Sequence, residues 1–246
     1  MKLKAIFNSS ACSWSRRVLV LALFVYAAAA ITHFAPAAKA AQAGTVTLVN
    51  AASYDVAVAP GSIGALFGAG MATQTVIAST VPLPKTLGGV TVKINGIDAP
   101  LFFVSPNQIN LQVPSGATVG TSSIQVFNNG IAAAVGTGTA NVAEAAPGIL
   151  TTDLSGKNQA IALNSDLSPN SDFDKSPGAR PEASGNVVVI YATGIGNTNP
   201  LVADGAAAPG DPLSISTGTT SVSIGGIAAE VQFSGLAPGF VGLWQI

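Results

Sequence analysis

The chain of 246 residues contains a single cysteine, Cys12, and a single histidine, His33. Both precede Ala40, in a stretch that reads as a removable leader. The remainder has neither residue, which excludes Ser-His-Asp and Cys-His nucleophile systems and the common nitrogen and sulfur ligands of zinc. It also excludes a disulfide, so the fold must rest on burial alone. Charge is scarce at 9% of residues, and positive charge is scarcer. From Ala41 onward five basic side chains (Lys85, Lys93, Lys157, Lys175, Arg180) stand against eleven acidic ones, a formal charge of −6. With no basic patch, nucleic acid and anionic lipid surfaces are poor partners. Beyond the leader no stretch carries a helical period, because the 27 glycines and 15 prolines punctuate the chain every several residues.

The one long apolar run is Val18 to Ile31, 14 residues, short of the roughly 20 that span a bilayer. Lys2, Lys4, Arg16 and Arg17 precede it, and Ala38-Lys39-Ala40 offers small residues where a signal peptidase reads. Residues 1–40 are therefore expected to be a signal peptide with a helical core, cleaved after Ala40, with Ala41-Gln42-Ala43 as the second choice of cleavage site. The product is expected to be exported (periplasmic, cell-surface or secreted), with no stable membrane span after cleavage.

What is present is one pattern told twice. Val90 to Phe103 alternates apolar residues around Asn95-Gly96, and Val222 to Phe233 repeats this around Gly225-Gly226, 130 residues on. Leu66 to Met71 matches Ile190 to Ile195 at an offset of 124. Same order with small insertions indicates tandem duplication. Val, Ile, Thr and Phe between turn residues predict an all-β protein of two tandem immunoglobulin-like antiparallel β-sandwich modules. The first is placed at 44–145, a connector at 146–148 and the second at 149–246, with a long, mobile polar loop at about 164–184. The hairpin register pairs Ile94 with Ile97, Lys93 with Asp98, Val92 with Ala99 and Val90 with Leu101. In the second copy Ile224 meets Ile227 and Val222 meets Ala229. A further hairpin is expected at Asn128-Asn129-Gly130. After Gln108-Ile109 the first copy runs 33 more residues to Val142, whereas Gln245-Ile246 are the last residues here. The second sandwich is thus expected to lack its final strands and to present an unpaired edge, open to strand addition or aggregation; a fragment or prematurely terminated product is the simpler account of it, ahead of a designed strand acceptor.

Oxygen chemistry is all that remains for a site. Asn164, Asp166, Asn170, Asp172 and Asp174 supply five oxygen-bearing side chains within eleven positions, a candidate calcium cluster. The spacing is not that of an EF-hand, and an ordinary Asx-rich loop is the better account of it. Trp244, Tyr191 and Tyr54, with Phe102, are candidates for a sugar-stacking platform, although Trp244 stands in an apolar strand and core packing accounts for it. A glycosidase needs two carboxylates in one cleft; Asp204 or Glu230 near Trp244 is the place to look. Gly194-Ile195-Gly196 opens like a dinucleotide fingerprint, but Asn199 replaces the third glycine and no helix follows, so a glycine-rich turn is expected.

Asn50-Ala51-Ala52-Ser53, Ala59-Pro60-Gly61-Ser62, Pro82-Leu83-Pro84, Leu87-Gly88-Gly89-Val90, Asn95 to Leu101 and Val104 to Asn110 carry a resemblance. So do Tyr191 to Gly196, Asp204-Gly205 and Ser234 to Gln245. Over Asn50 to Ile246 the chain resembles the Solibacter-type uncharacterised C-terminal domain family, found in exported acidobacterial proteins. The resemblance implies no activity that transfers residue by residue. In that family the pattern continues beyond the Gln245 position, in line with the repeat count. The expectation is a non-enzymatic exported protein for adhesion, surface structure or recognition of extracellular material. Its partner would be an extracellular polymer or another exported protein. A carboxylate-dependent glycan hydrolase and a calcium-stabilised carbohydrate-binding module stay open as alternatives; outside the calcium case no cofactor is implied.

Overall fold

The computed structural model describes residues 44–128, 134–172 and 177–246, all of them within one compact unit, Ala41–Ile246. The expected signal peptide, Asp174 and the turn at Asn129-Gly130 lie outside the described residues. The described residues contain strands, turns and no helix.

The first half is built from β1 (Thr47–Asn50), β2 (Ala57–Val58), β3 (Ile63–Phe67), β4 (Val76–Ile77), β5 (Val90–Ile94), β6 (Ile97–Asp98), β7 (Leu101–Val104), β8 (Gln108–Gln112), β9 (Gly120–Asn128) and β10 (Gly136–Val142). They form two five-stranded sheets, β1-β3-β8-β7-β4 and β2-β10-β9-β5-β6. Alternation decides which side chains meet between them. Val90, Val92 and Ile94 of β5 and Ile124 and Val126 of β9 supply one face of the core; Leu48, Leu66, Leu101, Ile109 and Leu111 supply the other. This is an immunoglobulin-like β-sandwich.

Asn95 and Gly96 hold φ of +48° and +79°, the left-handed backbone that a two-residue hairpin loop requires. Lys93 therefore pairs with Asp98 and Ile94 with Ile97, and Ala99 N donates to Val92 O at 2.9 Å. Pairing stops there, and Val90 does not face Leu101. Pro100 has no N–H with which to extend the ladder. The chain crosses to the other sheet, where Leu101 pairs with Leu111, and Val90 pairs with Asn128 of β9.

The second half comprises β11 (Gly148–Ile149), β12 (Ala162–Leu163), β13 (Val189–Thr193), β14 (Thr198–Asn199), β15 (Ile215–Ser216), β16 (Val222–Ile224), β17 (Ile227–Ala229), β18 (Gly235–Leu236) and β19 (Trp244–Gln245). One sheet runs β11-β13-β19-β18-β15-β14, with β12 also on β13, and β16-β17 stands as a separate hairpin. The order of the first sheet of the first half recurs, with β11, β13, β19, β18 and β15 in the places of β1, β3, β8, β7 and β4, and with β12 and β14 added. Phe67 faces Gln108 between β3 and β8, and Tyr191 faces Gln245 between β13 and β19. The connector is drawn into this sheet: Ala146 N donates to Gly194 O at 2.9 Å, and pairing begins at Gly148.

The second sheet is not reproduced. Hairpin β16-β17 has the register expected, Val222 with Ala229 and Ile224 with Ile227, and corresponds to β5-β6. Among the described residues the second half has no counterpart of β9 and β10. Its core reduces to Ala192, Ile195, Ala208, Leu236 and Trp244, with Val202 and Ile246 against them.

Candidate binding edge in the second half

The residues singled out in the sequence do not converge. Trp244 is 6% exposed, packs in the small core and donates from Nε1 to Ser234 Oγ at 3.0 Å. Tyr191 occupies the neighbouring ladder position, so its side chain lies on the opposite face of the sheet from Trp244. Tyr54 is exposed in the turn after β1, at a φ of +62°, and desolvation raises its phenol above the usual tyrosine range. These aromatics make no common platform. Trp244 in particular is a core residue whose one polar atom is satisfied.

The carboxylates are equally separate. Asp204 Oδ1 accepts from Ser115 N at 2.8 Å, a bond across to the first half, and Glu230 is exposed on the chain leaving β17. The cleft along the seam between the halves is lined by Pro60, Gly61, Gln112, Asn197 and Leu201 among others, and includes neither acid.

In the polar loop, the candidate calcium residues bond to one another and to the loop. Asn164 is fully buried; its Nδ2 donates to Ser168 Oγ at 2.9 Å and Arg180 O at 3.0 Å, and its Oδ1 accepts from Asn170 Nδ2 at 2.6 Å. Asp166 accepts from Ser168 N and Oγ, while Arg180 Nη2 donates to its other oxygen. These bonds, those from Ser168 foremost, hold the Asp166 carboxyl at about 2. Glu182 is likewise held at about 2, chiefly by Asn186 and by the backbone N–H of Ser165. The guanidinium already neutralises Asp166 where a cation would sit. Asp172 is exposed. Among the described residues no group of three or more His, Cys, Asp or Glu side chains is gathered where it could hold a metal ion.

Sequence reasoning missed the seam. Thr193, wholly buried, accepts at Oγ1 from Ile63 N at 2.8 Å and donates to Gly242 O at 3.0 Å. Gln112 Oε1 accepts from Gly205 N at 2.6 Å, Asn50 Nδ2 donates to Ala146 O at 2.8 Å, and Leu83 N donates to Gly205 O at 2.8 Å. Gly194-Ile195-Gly196 belongs to this stitching. At Gly194, φ +92°, a Cβ would run into Ala146 O, and at Gly196, φ +77°, into Glu144 O. Close backbone approach requires these glycines, not a phosphate.

One surface stands apart. In the first half Val92 and Ile94 are 0% exposed, with Ile124 and Val126 of β9 beside them on the same face and the side chains of the other sheet packed across it. Their counterparts in β16 are Val222, half-buried, and Ile224, 55% exposed; Ile227 in β17 is 75% exposed. The edge of β16 that β9 occupies on β5 has no strand on it among the described residues. The repeat count in the sequence was the signal for this.

Residues 83–143 match the family model described as IPT/TIG domain, an immunoglobulin-like β-sandwich module. The match runs from just before β5 to just after β10 and so takes in four of the five strands of the sheet that the second half carries only as a hairpin. No curated protein matches the chain, and no solved structure does.

Proposed function

We propose that the chain is a non-enzymatic, exported binding protein, in which a complete immunoglobulin-like sandwich carries a second, open one that recognises extracellular material. Export is supported by the leader-like segment before Ala41, and the resemblance to a family of exported acidobacterial proteins agrees with it. The observation that carries the reading is the exposure of Ile224, whose counterpart Ile94 is buried, and of Ile227, whose counterpart Ile97 is half-buried, on a hairpin with no further strand paired to it among the described residues. Apolar side chains on an unpaired strand edge are a template for association. The partner is another exported protein or an extracellular polymer that meets this edge, by strand addition in the protein case.

The test is retention of residues 41–246 on extracellular matrix and cell-surface fractions, against a variant with Ile224 and Ile227 both changed to Asp. Retention of the wild type and loss in the variant is the expected result. Equal retention of both, or of neither, would refute the reading.

A further inference from the structure

The first sheet of the complete sandwich carries no charge. Its strands β1, β3, β4, β7 and β8 contain neither an acid nor a base. The solvated face of a sheet is ordinarily polar, and here every polar group on it is neutral. Leu66 and Ile109 point into the sandwich core, so their chain neighbours Phe67, Gln108 and Asn110 stand on the outer face. Phe67 faces Gln108 across the β3-β8 pair, and Asn110, two positions along β8, faces the small side chain of Ala65. The Phe67 ring is 37% exposed, and Gln108 and Asn110 are half-buried. Gln108 Nε2 donates to Asn110 Oδ1 at 2.9 Å. That bond fixes both amides and leaves one group of each to spare. Gln108 Oε1 can accept and Asn110 Nδ2 can donate, and neither has a partner among the described residues.

We infer that Phe67, Gln108 and Asn110 form a binding subsite for a neutral sugar residue of an extracellular glycan, separate from the hairpin edge of the second half and independent of it. A sugar ring has a C–H face that packs on the negative face of a phenyl ring, and neighbouring hydroxyls that each donate and accept. One hydroxyl donates to Gln108 Oε1, its neighbour accepts from Asn110 Nδ2, and the ring lies over Phe67. Facing positions are about 5 Å apart and diagonal ones about 7–8 Å, a span that one sugar residue covers. With no cation on the sheet, an acidic or sulfated sugar would bring an anion that finds no partner. β3 and β8 are both interior to the sheet, so the ladder uses their backbone groups and only side chains are free for contact. Strand addition is therefore closed to this face, and a flat ring with hydroxyl edges suits it better than a polypeptide. The second half repeats the facing pair as Tyr191 and Gln245. A ring beside a glutamine on both sheets suits a polymer of repeating units.

The probes are cellohexaose, mannohexaose and xylohexaose, all neutral and β-linked, titrated by calorimetry against residues 41–246, with hexagalacturonic acid as the charged counterpart. The side-chain amide NMR signals of Gln108 and Asn110 are followed in parallel. Saturable binding of at least one neutral probe is expected, with both amide signals shifting and no binding of the acid. Phe67→Ala should weaken binding about tenfold, whereas Phe67→Tyr keeps the ring and should not. Asn110→Asp preserves the bond from Gln108, removes the free donor and should weaken binding by a similar factor. An unchanged urea midpoint checks that each variant is folded, and the amide shifts in the unaltered chain test the site without any substitution. No saturable binding of any neutral probe overturns the inference. So does binding indifferent to Phe67→Ala, or equally strong for the acid. Loss of matrix retention in Phe67→Ala without oligosaccharide binding would make the partner a polypeptide, and overturns it too. Ile224 and Ile227 are untouched in these variants, so this site and the hairpin edge stand or fall separately.

Discussion

Replacing Thr193 by valine exchanges a hydroxyl for a methyl at nearly constant volume, in a side chain with no exposed surface. The hydroxyl makes two bonds, accepting from Ile63 N and donating to Gly242 O. Each is worth about 1 kcal/mol net, and a buried partner left without one costs about 1–3 kcal/mol. Ile63 is half-buried whereas Gly242 is buried, so the penalty falls mainly on that carbonyl. The total is about 2–4 kcal/mol. For a chain of this size 1 kcal/mol moves Tm by about 2–4 °C, so Thr193→Val should melt roughly 5–15 °C lower. In urea the midpoint should fall by about 1–2 M. Trp244 is the only tryptophan after Ala40, so its emission reads the second half directly. Thr193→Ser keeps the hydroxyl and should recover most of the loss. If Thr193→Val stays within about 0.5 kcal/mol of wild type, the two bonds do not hold the halves together.

Gly194→Ala should be among the most damaging single changes, about 3 kcal/mol or more, because a left-handed φ and the carbonyl of Ala146 both oppose a Cβ; a wild-type melting temperature would contradict that. The Lys93–Asp98 pair, 2.6 Å long with side chains 33% and 37% exposed, should matter little. Asp98→Asn should cost at most about 1 kcal/mol, and the difference should shrink in high salt; a larger, salt-independent loss would point to another role. In the polar loop Asp166 and Glu182 are held at about 2, below ordinary values of 3.8 and 4.5. Carboxyls depressed by folding stabilise fully above their unfolded values and lose that contribution as pH falls through the folded ones. The amide shifts of Ser168 and Ser165, which donate to these carboxylates, should therefore titrate with midpoints near 2; midpoints near 4 would show that the bonds do not persist in solution.

Local rules read correctly wherever two neighbouring residues decide the backbone. Asn95-Gly96 and Gly225-Gly226 dictate their turns, and from each turn the facing pairs follow by counting. The count fails at Leu101 because Pro100 ends the ladder, which was visible in the sequence as a missing N–H. The seam was not visible. Thr193, Gln112 and Asp204 look like ordinary strand and turn residues, and only the packing of one half on the other shows that their polar atoms find partners 130, 93 and 89 positions away. The aromatic and acidic candidates were chosen by residue type, and type does not say which face of a sheet a side chain takes. Tyr191 and Trp244 differ by one ladder position and so part company. The open edge was legible because the first copy served as a ruler for the second.

The bonds between the halves also imply an order of events. Every buried residue of the larger core precedes Ala143, so that sandwich can close as soon as its own strands are complete. The smaller core has five buried residues and leans on Ile63, Gln112, Ser115 and Asn50, all set in place by the earlier closure. A chain made N-terminus first thus meets its second half with a finished template. A permuted chain with the halves in reverse order would present the dependent half before anything exists to shape it, and should refold more slowly though every final contact is the same.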